Sequence, residues 1–179
     1  MRTSVSAALL AVALALPAAA QNLSNIRIDN FGRVNANYFR GAQPEAGDYA
    51  DLASLGVKTV IDLTKDGRDD EPGLVKGAGM KFYRIPLTTS VAPTDAAVAE
   101  FLKIVNDRAN QPVFVHCQGG RHRTGTMTAI YRMTMEGWNA TRAFDEMKRY
   151  KFGADFLHPE FKTFIDSYVV PAVVPAAVR

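Results

Sequence analysis

The chain has 179 residues, with 21 Lys and Arg against 18 Asp and Glu and a formal net charge of +3. That near balance excludes the whole-surface positive field of a nucleic-acid binder or a polybasic membrane protein, so any recognition of anions has to be local. One domain of this length with 47% hydrophobic residues can build a core without staples, and the lone cysteine, Cys117, excludes an intramolecular disulfide.

Arg2, the apolar stretch 5–16, Pro17 and the run Ala18-Ala19-Ala20 follow the order of a secretory signal peptide. The apolar stretch is too short to span a bilayer, so stable membrane insertion is not expected. Cleavage near Ala20 leaves 21–179 as a single domain, with a core at about 37–168, exported to the periplasm or secreted. Disulfides usually persist there, so an unpaired thiol calls for a reason: a small buried hydrophobe or a reactive group.

Residues 21–37 read as an extended lead-in in which Ile26 and Ile28 alternate with polar neighbours, followed by Tyr38-Phe39-Arg40 and the breaker Gly41-Ala42-Gln43-Pro44. Tyr49, Leu52 and Leu55 have helical spacing over 46–55, and Gly56 stands at a helix C-cap position. The β-branched run 57–63 suits a buried strand, the polar stretch 64–72 its exit loop, and 73–78 a short helix. A second strand is predicted over 81–85. After the loop 86–93, Thr94 caps a helix carrying Val98, Phe101, Leu102 and Val105.

Val113-Phe114-Val115 is a third short apolar strand that runs into His116-Cys117, a glycine-containing turn and a helix over 124–135. Asn139 looks like the cap of a helix reaching Tyr150, and Pro159 like the first turn of another ending near Tyr168. Trp138 reads as core, and the apolar, proline-broken tail 169–179 is expected to pack on the domain or stay disordered. Strands alternating with helices predict an α/β fold with a central, largely parallel β-sheet flanked by helices.

The chemistry is concentrated in His116-Cys117-Gln118-Gly119-Gly120-Arg121-His122-Arg123-Thr124-Gly125, where five residues separate Cys117 from Arg123. A short loop between a strand end and a helix start can aim its backbone N–H groups inward as an anion nest, and Gly119 and Gly120 permit the backbone angles this requires. Those donors and a guanidinium favour thiolate over thiol, which makes Cys117 a nucleophile near neutral pH. The same groups, drawn from Gln118, Gly119, Gly120, Arg121, His122 and Arg123, would bind the non-bridging oxygens of a phosphoryl group, with Arg123 supplying a two-pronged contact.

His116 points to the other side of the strand from Cys117 and is expected to order the loop from behind. The Thr124 hydroxyl can support the departing thiolate or simply cap the helix. A metal site is not predicted, because adjacent His and Cys without a second ligand cluster lack zinc spacing.

This string resembles the signature of the cysteine-based protein tyrosine and dual-specificity phosphatases: His-Cys, five residues, Arg, then Ser or Thr. The form Gly120-Arg121-His122-Arg123-Thr124-Gly125 is especially similar to the atypical plant-and-fungal dual-specificity branch, which includes inositol pyrophosphate phosphatases. Residues 38–44, 56–63, Gly137-Trp138 and 143–147 also look like that branch. The resemblance implies a compact dual-specificity-type phosphatase fold, a phosphocysteine intermediate on Cys117, and no metal or organic cofactor. The implied substrate is a phosphorylated protein, of the phosphotyrosine type, or a small anionic phosphate such as an inositol polyphosphate or pyrophosphate.

That family usually places an aspartate general acid in a loop before the cysteine, whereas residues 87–94 here contain Thr88, Thr89 and Ser90 but no carboxylate. The first acid met is Asp95, which a helix first turn also favours; Asp66, Asp69 and Asp70 are alternatives. Lys148, Arg149 and Lys151 stand either near the loop mouth beside Arg121 and His122 or on a solvated helix end. Two rival readings are a sulfurtransferase and a phospho-ligand binding module that lacks an efficient general acid.

Overall fold

The structure, a computed structural model, describes residues 23–171, so the signal-peptide segment and the end of the tail lie outside the described residues. The strands are β1 (Gly32–Asn35), β2 (Tyr38–Gly41), β3 (Thr59–Thr64), β4 (Lys81–Leu87) and β5 (Val113–His116). The helices are α1 (Asp48–Ser54), α2 (Glu71–Gly77), α3 (Asp95–Asn106), α4 (His122–Glu136), α5 (Ala140–Arg149) and α6 (Pro159–Ser167). They form one five-stranded sheet in the order β1-β2-β5-β3-β4, parallel except for the edge strand β1, which pairs antiparallel with β2.

Strand β5 lies between β2 and β3, so its C-terminal end opens at the middle of the sheet, where α/β folds place ligands. The period of two then sorts its side chains. Val113, Val115 and Cys117 pack with Tyr38 against α3, α4, α5 and α6, whereas Phe114 packs with Phe39 and Val60 against α1 and α2. Burial on both faces explains why β3 is buried along its whole length and reads as Thr-Val-Ile-Asp-Leu-Thr rather than as an alternating pattern.

Several boundaries differ from the sequence reading. The lead-in and Tyr38-Phe39-Arg40 form a β-hairpin, and Gly41 belongs to β2, paired with His116, instead of breaking the chain. Helices α2 and α4 each begin two residues earlier than their periodicity suggests, which brings Glu71 and His122 into first turns. The caps agree: Thr94 Oγ1 accepts from Ala97 N at 3.2 Å and Asn139 Oδ1 from Arg142 N at 2.9 Å. Trp138 is not core but half-buried, with Arg132 and Arg142 stacked on its ring at 4.3 and 3.7 Å. No described helix is long and apolar enough to cross a membrane.

Candidate active site

Residues 117–121 link the end of β5 to the start of α4, and the carbonyls of this loop are tied to the surrounding frame. Gln118 O accepts from Gln43 N at 3.2 Å. Gly120 O accepts from Arg40 Nη2 at 2.6 Å and from Asn30 Nδ2 at 2.8 Å, and the same Asn30 amide reaches Gly119 O at 3.4 Å. None of the N–H groups of Gln118, Gly119, Gly120 and Arg121 is used in another hydrogen bond among the described residues. Carbonyls held outward leave donors free on the inner side, the arrangement of an anion nest.

One glycine is obligatory in that turn. Gly120 has φ +62°, and a Cβ there would lie 2.5 Å from the carbonyl carbon and oxygen of Gly41. Gly119 is different: it is outside the left-handed region, and a Cβ would meet only the Arg121 side chain at 3.5 Å or more. The expected need for glycine angles therefore holds at Gly120 and not at Gly119.

Cys117 is only 3% exposed at the floor of the loop. Arg123, 5% exposed, donates from Nη1 to Leu87 O at 3.2 Å and lies 3.8 Å from Asp66 Oδ1, while its Nε is buried without a partner. Buried donors are nearly always satisfied, so this N–H is available to an incoming acceptor. Thr124 is the third residue of α4 and caps nothing; its hydroxyl is buried and unpartnered. Its carbonyl accepts from the Thr128 hydroxyl at 2.7 Å.

His116 faces away from Cys117, stacked on Phe114 with ring centroids 5.6 Å apart, and its Nε2 stands 2.9 Å from Glu71 Oε1. Glu71 is a residue that sequence reasoning did not single out. It is fully buried, and its Oε1 accepts from Tyr49 Oη at 2.8 Å and Gln43 Nε2 at 2.9 Å. Burial alone would raise its carboxyl pKa, yet His116, Tyr49 and Gln43 hold it below the usual glutamate value.

Beside it, Asp62 accepts from Thr64 N and Oγ1 at 2.8 and 2.7 Å and from Arg84 Nε at 2.7 Å, and Arg84 Nη2 donates to Arg68 O at 2.7 Å. Donor atoms of Asp62, Glu71 and His116 lie within 4.8 Å of one another, but these hydrogen bonds already account for their arrangement. The network anchors the loop after β3, which carries Asp66.

At the mouth, Asp66 lines a polar cleft with Gln43, Thr64, Arg68 and Gln118. Asp95 instead lines a cavity between α3 and the end of α6, beside Leu102, Phe164 and Tyr168, apart from the polar cleft that Asp66 lines. Asp69 is exposed, and Asp70 is held by Arg68 at 2.8 Å. His122 also departs from expectation: its ring sits among Phe152, His158 and Phe161, with Nε2 2.9 Å from Phe152 O, and burial lowers its pKa. Only its backbone can serve the loop.

Three other basic residues near the mouth are spoken for. Lys151 pairs with Asp29, Lys148 with Asp155, and Arg68 with Asp70 and Glu45. On the far side of Leu87, whose carbonyl holds Arg123, an apolar cleft is lined by Leu87, Val91, Pro93 and Ala97. Together these groups surround a buried thiol with unspent N–H donors, a carboxylate on one flank and an apolar wall on the other.

Residues 22–163 match the family model described as a DSP-PTPase phosphatase fused to NAD+ kinase. The inositol diphosphatase DSP2 of Oryza sativa subsp. japonica is 31% identical over 126 residues, 68% of this chain and 61% of that protein. The dual specificity protein phosphatase TpbA of Pseudomonas aeruginosa is 34% identical over 125 residues, 69% of this chain and 56% of that one. The chain thus spans somewhat over half the length of these two relatives.

The core catalytic domain of the PP-IP phosphatase SIW14 of S. cerevisiae, solved with citrate, superposes with a TM-score of 0.70 at 26% identity, covering 79% of this chain and 86% of that one. A structure of TpbA in complex with pTyr superposes at 0.66 with 28% identity, over 77% of this chain and 83% of that one.

Proposed function

Because the chain belongs to the DSP-type protein tyrosine phosphatase family, we propose that it hydrolyses phosphomonoesters of the phosphotyrosine type through a covalent intermediate on Cys117. The observation that carries this is the loop whose Gln118, Gly119 and Gly120 carbonyls are tied to the frame, leaving four backbone N–H groups and Arg123 Nε unspent around one buried thiol. No step requires a metal.

In the first step the Cys117 thiolate attacks phosphorus in line with the ester oxygen. The loop N–H groups and Arg123 hold the three equatorial oxygens as charge shifts onto them. The P–O ester bond breaks, and the departing oxygen takes a proton from Asp66, whose carboxyl lies 3.8 Å from Arg123. In the second step water gives a proton to the Asp66 carboxylate and attacks phosphorus. The P–S bond breaks, releasing inorganic phosphate, and the sulfur regains its negative charge with the Thr124 hydroxyl as hydrogen-bond donor.

His116, backed by Glu71, holds the strand end from the opposite face of the sheet and touches no substrate.

An aryl monoester is favoured over an inositol pyrophosphate by the mouth itself. Lys148, Lys151 and Arg68 at the mouth are already engaged by carboxylates, and the wall beyond Leu87 is apolar. A multiply charged sugar phosphate would need the lysines that Asp29 and Asp155 already engage. The leader-like residues 1–20 support export, so the substrate is met outside the cytoplasm; sequencing the N-terminus of protein recovered from the periplasm or medium tests this. Turnover of an aryl phosphate in the presence of a chelator, abolished in Cys117→Ser, tests the activity.

A further inference from the structure

Arg40 is the largest fully buried side chain of the molecule and belongs to no ion pair among the described residues. It lies in β2 opposite Val115 of β5, and Cys117 is two residues beyond Val115, so Arg40 and the thiol project from the same face of the sheet on adjacent strands. Its Nη2 donates to Gly120 O at 2.6 Å, its guanidinium lies 3.9 Å from the centroid of the Tyr150 ring, and its Nε and Nη1 are buried without partners.

A buried guanidinium left without a carboxylate is expensive unless an anion arrives nearby. The titratable groups whose charges act on it are Tyr38 from β2, Tyr150 and Glu146 from the α5 end, and Cys117. Tyr38 is hydrogen-bonded to Thr128, and Glu146 is engaged by Arg132 through both carboxylate oxygens at 2.7 and 3.1 Å. The remaining candidate for an anion is the sulfur.

We propose that Arg40 is a positioning residue whose buried charge holds Cys117 in the thiolate form from behind the phosphate loop. The counter-ion of Arg40 is then the thiolate itself, and in turnover the phosphoryl group bound above it. Arg40 reaches no substrate; it acts through its field on the sulfur and through the Gly120 carbonyl. A nearby positive charge favours the ionised thiol, so removal of Arg40 is expected to make Cys117 less reactive at a given pH. This rests on Cys117 being the reactive thiol, yet the property tested is its titration, which can be read whether or not the protein turns over phosphate esters.

The experiment measures the pH midpoint of Cys117 alkylation by iodoacetamide, with folding checked by circular dichroism and cooperative melting. Arg40→Met, which keeps the volume and removes the charge, is expected to raise the midpoint by about one unit or more, and Arg40→Lys by less. Asn30→Ala removes a different anchor of the same carbonyl without removing charge and is expected to shift the midpoint by clearly less than Arg40→Met.

An unshifted midpoint in folded Arg40→Met, or an equal shift in Asn30→Ala, overturns the proposal. If Arg40→Met does not fold, the wild-type protein decides. The guanidinium 15N resonance of Arg40 is expected to titrate with the Cys117 midpoint and to stay flat in Cys117→Ser; a resonance that ignores the thiol contradicts the assignment.

Discussion

His116 Nε2 stands 2.9 Å from Glu71 Oε1, with neither side chain exposed at all, and this pair ties the strand that delivers Cys117 to the first turn of α2. Glu71 titrates below the ordinary carboxyl range in the folded protein. The stability it contributes is therefore fully present above its unfolded pKa of about 4.3 and lost as pH falls through the lower folded value. Glu71→Gln is expected to lower stability by about 3 kcal/mol at pH 7, with the gap to wild type closing below about pH 4. Denaturant unfolding across pH checks this, and parallel acid dependence in the two proteins would contradict it.

The two glycines of the loop are expected to respond unequally. Gly120→Ala meets the Gly41 backbone at 2.5 Å and a left-handed φ, so the loop must shift and activity should fall about a hundredfold. Gly119→Ala meets only the tip-directed Arg121 side chain and should retain activity within about threefold. Steady-state rates with matched melting curves separate the two.

Asp66 and Asp95 are distinguished by a pH–rate profile. A general acid must be protonated to act, so its ionisation produces the alkaline limb. Asp66→Asn is expected to flatten that limb and to slow an alkyl phosphate by about a hundredfold, with a smaller effect on an aryl phosphate whose leaving oxygen needs little help. Asp95→Asn should leave the profile intact. The opposite pattern would return the role to α3.

Thr124→Val removes a hydroxyl that is buried and unpaired in the resting protein. Its loss should not reduce stability, since no hydrogen bond is broken. The second step should slow, because the departing thiolate loses its donor, so a product burst is retained while the steady state falls by about tenfold. Equal losses of burst and steady state would show that the hydroxyl serves the first step.

The phosphate loop and the sheet around it were legible because they are local: a strand, five residues and a helix start are contiguous in the chain, and their spacing states their geometry. Residues that act through distant partners were not. Glu71 and Arg40 sit in segments that read as a loop end and as the short stretch before a chain breaker, and only the strand order brings them behind residues 116–120. The partners of the lysines were hidden for the same reason, since Asp29 meets Lys151 across a separation of 122 residues. His122 read as a mouth residue because it follows Arg121, but the early start of α4 rotates its ring into the aromatic cluster around Phe152.

The central claim is a covalent phosphoenzyme on Cys117, and its most direct test is rapid acid quenching of turnover on an aryl phosphate, followed by peptide mass spectrometry. A phosphate-labelled Cys117 peptide is expected, accumulating further in Asp66→Asn if return of the water proton limits the second step, and absent in Cys117→Ser. Undiminished turnover in Cys117→Ser, or turnover with no label at Cys117 in any quench, would contradict the account.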